Sequence, residues 1–203
     1  MAVVKRKVPT DVGSFLAREN RQKLRYELID GVVYLMAGGT RAHDLIAPNV
    51  IRAIGNSLVG TPCQVHGSNL KVRSPAEAVV YPVAFVRCGP IADDVTVVDD
   101  PMLVVELRSK RTREYDMYGK QLAYYAIPSL HHLLLIEPGT VAVRLESRQP
   151  DGTWLLRAVP GSRFDRRDRP ATAFATVARD LRRNRARRPS PHGAPLAGGE
   201  PPR

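Results

Sequence analysis

The sequence predicts one α/β (α+β) domain in which a mixed central sheet is flanked by helices, and three observations carry the prediction. Short runs rich in Val, Ile, Leu and Tyr recur between turn residues, as strands do. Two stretches, about 41–58 and 115–126, instead space their apolar residues along one face of a helix. The second of these lies between two wholly apolar runs, Met102-Leu103-Val104-Val105 and Leu133-Leu134-Leu135-Ile136. That order implies buried parallel strands joined by a right-handed crossover.

Each element has its own signal. Thr10-Asp11 ahead of Val12, Phe15 and Leu16 reads as a capped, short amphipathic helix ending near Asn20. Tyr26-Glu27-Leu28-Ile29 and Val32-Val33-Tyr34-Leu35 flank Asp30-Gly31, a pair suited to the positive φ of a tight hairpin turn. From Arg41 to Leu58, residues Leu45, Ile46, Val50, Ile51, Ile54 and Leu58 form one apolar face, with Pro48 expected in the first turns. Residues 63–68, 70–73 and 79–87 are β-like, and 93–100 reads as an acidic loop before the central strand that Glu106 ends. The helix over 115–126 carries Tyr118, Leu122 and Tyr125 as its apolar stripe and stops before Pro128. A hairpin of 141–145 and 154–159 turns at Pro150-Asp151-Gly152, and a last helix is expected at about 172–183. No internal repeat occurs.

With 203 residues, 43% of them apolar, the chain fits one core-forming domain over 1–162 and an Arg/Pro-rich tail over 163–203, disordered after its helix. The net charge of +11 is uneven, because the tail holds eleven arginines against four acids. Such a tail either touches nucleic-acid phosphates without specificity or merely solubilises the protein. No apolar run is long enough for a membrane span or a signal peptide, so a cytoplasmic protein with no membrane partner is expected. Cys63 and Cys88 lie far apart with no CxxC spacing, which favours structural thiols over a disulfide.

Chemistry concentrates at a few positions. Glu106 closes an apolar run, and a carboxylate at the end of a buried strand needs a partner or a metal. Arg108 follows two residues later and so shares its face of the strand. Taken alone, the pair is explained more simply by a cross-strand ion pair. Glu27 could pair with Arg25 or Lys71, Lys120 could be a solvated helix lysine, and His43 could be a capping or surface residue. His66 and His131-His132 have no zinc spacing. Tyr118, Tyr124 and Tyr125 fit core packing better than base stacking.

Read together and in order, however, several segments form a recognisable pattern. They are Arg25-Tyr26-Glu27-Leu28-Ile29-Asp30-Gly31, His43, Leu70-Lys71-Val72-Arg73, Tyr81-Pro82, Val104-Val105-Glu106-Leu107-Arg108-Ser109, and Tyr115-Asp116 through Lys120 to Tyr124. Over about 15–159 the chain resembles the Uma-type (Uma-two) family of bacterial restriction endonucleases, within the PD-(D/E)XK nuclease superfamily. The resemblance implies a restriction-endonuclease-like fold and Mg²⁺-dependent (or Mn²⁺-dependent) hydrolysis of DNA phosphodiester bonds. Hard Mg²⁺ wants oxygen ligands, and it lowers the pKa of its bound water. The resemblance casts Glu27 and Glu106 as metal ligands, Lys120 as the residue that steadies the attacking water, and Arg108 as a phosphate contact. His43 and Lys71 become accessory candidates. A homodimer is left open.

Three positions depart from the family, and the first removes a metal ligand. The family aspartate after Tyr-Pro is here Val83, which cannot bind a cation. The nearest upstream acid, Glu77, is about 20 Å away along an extended strand. The family segment Ser-Asp-Leu-Lys also reads Ser68-Asn69-Leu70-Lys71, and Ser-Pro reads Ser109-Lys110. The expectation is a metal site short of one carboxylate, with cleavage weak or absent. The competing expectation is a non-catalytic nucleic-acid-binding module that uses the same cleft and the basic tail.

Overall fold

In a computed structural model, residues 5–6, 10–36, 38–108, 115–137 and 142–158 are described. Helix α1 (Val12–Glu19) starts where the Asp11 carboxylate accepts a hydrogen bond from the Ser14 N–H at 2.8 Å. Strands β2 (Tyr26–Ile29) and β3 (Val32–Leu35) form the expected hairpin, with Asp30 and Gly31 at φ 50 and 68. Both values are left-handed, as a primed turn requires. A short strand β1 (Lys5–Arg6), too brief to leave a signal in the sequence, pairs with β3.

Helix α2 (Arg41–Leu58) has the expected bounds and buries Val50, Ile54 and Leu58. Pro48 lies deeper in it than the first turns, at the eighth helical position, where the helix forgoes one backbone donor. Next come β4 (Cys63–Gly67), β5 (Lys71–Ser74) and β6 (Ala78–Val80), then β7 (Ala84–Cys88) and β8 (Val97–Val98). The single β-like stretch 79–87 is thus two strands, broken at Tyr81–Val83, and the acidic loop contains β8. The rest of the described chain is β9 (Leu103–Leu107), α3 (Tyr115–Tyr125), β10 (His132–Glu137), β11 (Ala142–Arg148) and β12 (Trp154–Ala158). The tail, with its expected helix at 172–183, lies outside the described residues.

These strands make two mixed six-stranded sheets rather than one, in the orders β1-β3-β2-β6-β5-β8 and β12-β11-β10-β9-β7-β4. In the second, β9 and β10 are parallel as expected, and α3 connects them. One face of that sheet packs on α2 through Val50, Ile54, Val86, Val105 and Leu107. The other packs on α3 and the first sheet through Phe85, Val104, Tyr124, Leu133, Leu135 and Val72. Among the described residues, no helix is long and apolar enough to cross a membrane.

The two cysteines, expected as separate thiols, form a disulfide. Their separation of 25 residues conceals that β4 and β7 pair antiparallel with Cys63 directly opposite Cys88. Closing a loop of that length restricts the unfolded chain by about 3 kcal/mol. Cys88→Ser should lower the unfolding free energy by about that amount in non-reducing buffer. Denaturant curves that coincide for the two proteins would contradict the bond.

Candidate active site

The site forms where α3 crosses between the two sheets. Glu27 comes from β2 of the first sheet, Glu106 from β9 of the second, and Lys120 from α3. The Lys120 Nζ stands 2.8 Å from Glu27 Oε1 and 3.0 Å from Glu106 Oε1. The two carboxylates therefore face one another across a single ammonium. Two further donors orient them. The Tyr81 N–H donates to Glu27 Oε1 at 2.8 Å, and the Tyr124 hydroxyl donates to Glu106 Oε1 at 2.6 Å.

Local packing explains why Lys120 reaches both. Gly119 sits against β2, where a Cβ would come within 2.8 Å of the Ile29 Cγ2 methyl. Only the smallest residue permits that approach. The helix period then aims Lys120 and Tyr124, four residues apart, along one line onto Glu106. Tyr118 and Leu122, expected on the buried stripe, are instead 71% and 65% exposed. The inward face carries Lys120, Gln121, Ala123 and Tyr124, because the carboxylates below it recruit polar donors in place of the apolar pair.

Electrostatics follow from this geometry. Burial pulls the Lys120 ammonium down, but Glu106 and Glu27 with their hydrogen bonds outweigh it and hold Lys120 above the ordinary lysine value. Lys120 is thus a cation at neutral pH and not a base. Burial pushes the Glu27 carboxyl up, the charge of Lys120 opposes this, and the like charge of Glu106 adds to it. Burial and Glu106 likewise raise the Tyr124 phenol, which stays a donor.

Other sequence candidates lie apart. Arg108 Nη1 pairs with Glu137 at 3.0 Å. Lys71 Nζ is held by Glu19 at 3.1 Å and by Asn20 at 2.8 Å, a buried pair that ties α1 to β5. Tyr81 links that pair to the site, since its hydroxyl donates to Glu19 while its N–H holds Glu27. His43 lies in the first turn of α2, where its N–H meets the Thr40 cap, and it makes no bond to the Glu27–Lys120–Glu106 group. His66 stacks on Phe85, and His132 Nδ1 meets Ser147 Oγ.

Val83 lies at the break before β7. Extending the register Ala84↔Val105 by one residue sets it beside Glu106, yet its side chain is buried in the apolar cluster that holds Val105 and Leu107. Glu77 is exposed in the β5–β6 turn at φ 52, and Asp93 and Asp94 are exposed in another turn, so none of them stands in for the missing acid. Among the described residues, no group of three or more His, Cys, Asp or Glu is arranged to hold a metal ion. The two carboxylates on Lys120 fit a hard cation only in the manner of Mg²⁺ sites that keep several waters and complete their shell with substrate phosphate. Tyr124 and Tyr81 were missed as parts of the site. The spacing of Tyr124 four residues after Lys120 was the available signal, whereas a backbone donor such as the Tyr81 N–H leaves none.

Comparison with known proteins bears on this arrangement. The family model Uma2, described as "Putative restriction endonuclease", matches residues 12–178. The chain belongs to the Uma2 family. An uncharacterized protein of Synechocystis is 33% identical to this Uma2 chain over 144 residues, covering 70% of the chain and 76% of that protein. A second uncharacterized Synechocystis protein is 26% identical over 165 residues, covering 79% and 93%. The crystal structure of a protein from Anabaena variabilis, described as "a putative nuclease belonging to DUF820", superposes with a TM-score of 0.62. Its sequence identity is 14%, and the match covers 85% of this chain and 97% of that one, so the likeness is one of fold.

The Glu27 shift gives a signed pH dependence. A raised folded-state value means the native protein holds this proton more tightly than the unfolded chain does. The resulting stability is complete below the unfolded value of 4.5 and is lost as pH rises through the folded value. The unfolding free energy of wild type minus that of Glu27→Gln should therefore fall as pH rises above 4.5 in denaturant titrations. A difference that climbs over that range would contradict the assignment.

Proposed function

We propose that this Uma2 protein is a nuclease that acts on DNA phosphodiester bonds with an acidic site one carboxylate short of its family pattern. The single observation that carries the reading is the convergence of Glu27 and Glu106, from different sheets, on Lys120. Hydrolysis of a phosphodiester must neutralise the charge that builds on the phosphoryl oxygens, and it must present a water to phosphorus. Glu27 and Glu106 would hold Mg²⁺ (or Mn²⁺), which supplies charge neutralisation and an acidified water when bound.

The residues of the chain itself do the positioning. Tyr81 and Tyr124 fix the two carboxylates by hydrogen bonds to Oε1, and the second oxygens would take the ion. Lys120, cationic throughout the neutral range, orients the attacking water and meets negative charge on the phosphate. Arg108, one residue past β9 and paired to Glu137, would contact a neighbouring phosphate. With Val83 apolar, the site offers two charged ligands against the cost of dehydrating Mg²⁺, so binding is weak and cleavage slow.

A second reading is favoured by Val83 itself and by the charge of +11. On that reading the same cleft binds DNA without cutting it, through phosphate contacts that weaken steeply with salt and ignore chelator.

Purified protein with Mg²⁺ or Mn²⁺ should nick plasmid DNA slowly, and Glu106→Ala should reduce the rate by about a hundredfold or more. Cleavage that survives Glu106→Ala would sink the assignment. Val83→Asp, with its carboxylate turned out of the apolar cluster toward Glu106, should tighten Mg²⁺ binding in calorimetric titration and speed nicking. DNA binding indifferent to EDTA, with no nicking by either protein, would establish the second reading instead.

A further inference from the structure

Beyond the site, the structure holds a further buried carboxylate to which the proposed chemistry gives no task. Glu146, in β11, is fully buried. Its neighbours on either side along the strand, Leu145 and Ser147, show that the position lies within ordinary sheet structure. Three groups meet it. Gln121 Nε2 donates at 2.8 and 3.0 Å, the Tyr125 hydroxyl donates at 2.6 Å, and Arg144 Nε stands 2.7 Å away as an ion pair too bent to count as a hydrogen bond.

The pattern repeats the one at Glu106, displaced by one residue. Lys120 and Tyr124 grip Glu106, while Gln121 and Tyr125 grip Glu146. In each case a residue and its i+4 neighbour, which share a line on the helix, close on one carboxylate of the sheet. The registers Glu106↔Leu135 and Leu135↔Arg144 put β10 between the two strands, so their carboxylates sit about 10 Å apart in the direction across the sheet. A helix held at both points cannot rotate about its axis without breaking one of the grips. The C-terminal end is held from the same hairpin. Arg148 donates to the carbonyls of Tyr125, Ile127 and Leu130, and Trp154 stacks on Tyr125 at 4.3 Å.

We infer that Glu146 is a positioning residue that sets the rotation of α3 and so delivers Lys120 between Glu27 and Glu106. A buried carboxylate is an expensive way to fill a core position, and an apolar residue would fill it at less cost. What a carboxylate adds is a directional contact that only one helix phase can satisfy. Burial and the Glu146 hydrogen bond push the Tyr125 phenol up to about 12, so this donor is present at every physiological pH. The value of placing Lys120 there rests on the function proposed above, but its placement does not.

Native-state acetylation with acetic anhydride, quantified at each lysine by mass spectrometry, tests the inference without DNA or metal. Lys23 is exposed and serves as the internal standard, while Lys71, buried against Glu19, reports any general loosening of the fold. In Glu146→Leu, labelling of Lys120 relative to Lys23 should rise about tenfold while Lys71 stays protected. Glu146→Gln, which can still accept from Tyr125 and can donate to the oxygen of a turned Gln121 amide, should return Lys120 close to wild type. Lys120 unchanged in folded Glu146→Leu, or Lys71 and Lys120 rising together, would overturn the inference. If Glu146→Leu does not fold, Tyr125→Phe replaces it, removing one donor while retaining the ring beside Trp154, with the same two outcomes to read. Absence of DNA cleavage by wild type would defeat the nuclease reading and leave this result standing.

Discussion

Two carboxylates that belong to different sheets share one lysine ammonium, and the arrangement of the domain follows from that sharing. Left to themselves, Glu27 and Glu106 would repel across a space shielded from water, where like charges cannot both remain ionised at small cost. Lys120 turns the repulsion into attraction and in doing so ties β2, β9 and α3 to one point. Tyr81 and Tyr124 then fix the direction in which each carboxylate points. On the proposed function, the contacts that join the sheets at this point are also those that would meet a phosphate and a divalent ion.

The constraint reaches outward through α3. The helix must lie close to β2, and Gly119 permits this against Ile29. It must also turn its polar residues inward, which leaves Tyr118 and Leu122 in solvent. Glu146 supplies the second contact that this phase requires, and Arg148 holds the helix end. On the far side of the second sheet, α2 packs through an ordinary apolar face, and there the chain follows side-chain periodicity alone.

That difference explains how much of the molecule was legible in its sequence. Helix α2 and the hairpin at Asp30-Gly31 were readable to the residue, because an apolar stripe and a positive-φ turn are local signals. Glu106 and Lys120 stood out because a charge ending an apolar strand and a lysine on the following helix fit a known order. The phase of α3 was not readable, since apolar spacing pointed to Tyr118 and Leu122 while buried carboxylates on non-adjacent strands chose the opposite face. Strand register, likewise non-local, hid the Cys63–Cys88 bond and the division into two sheets. Val83 was visible as a departure, yet only the fold shows that its side chain joins the apolar cluster beside Glu106 and that no nearby acid replaces it.

The most direct measurement is a double-mutant cycle on Glu27→Gln and Lys120→Met, read as unfolding free energy at neutral pH. If one ammonium joins the two sheets, the single changes will not add, and the coupling will be about 1 to 3 kcal/mol. Strict additivity of the two substitutions would mean that Glu27 and Lys120 do not meet, and the shared centre would not exist.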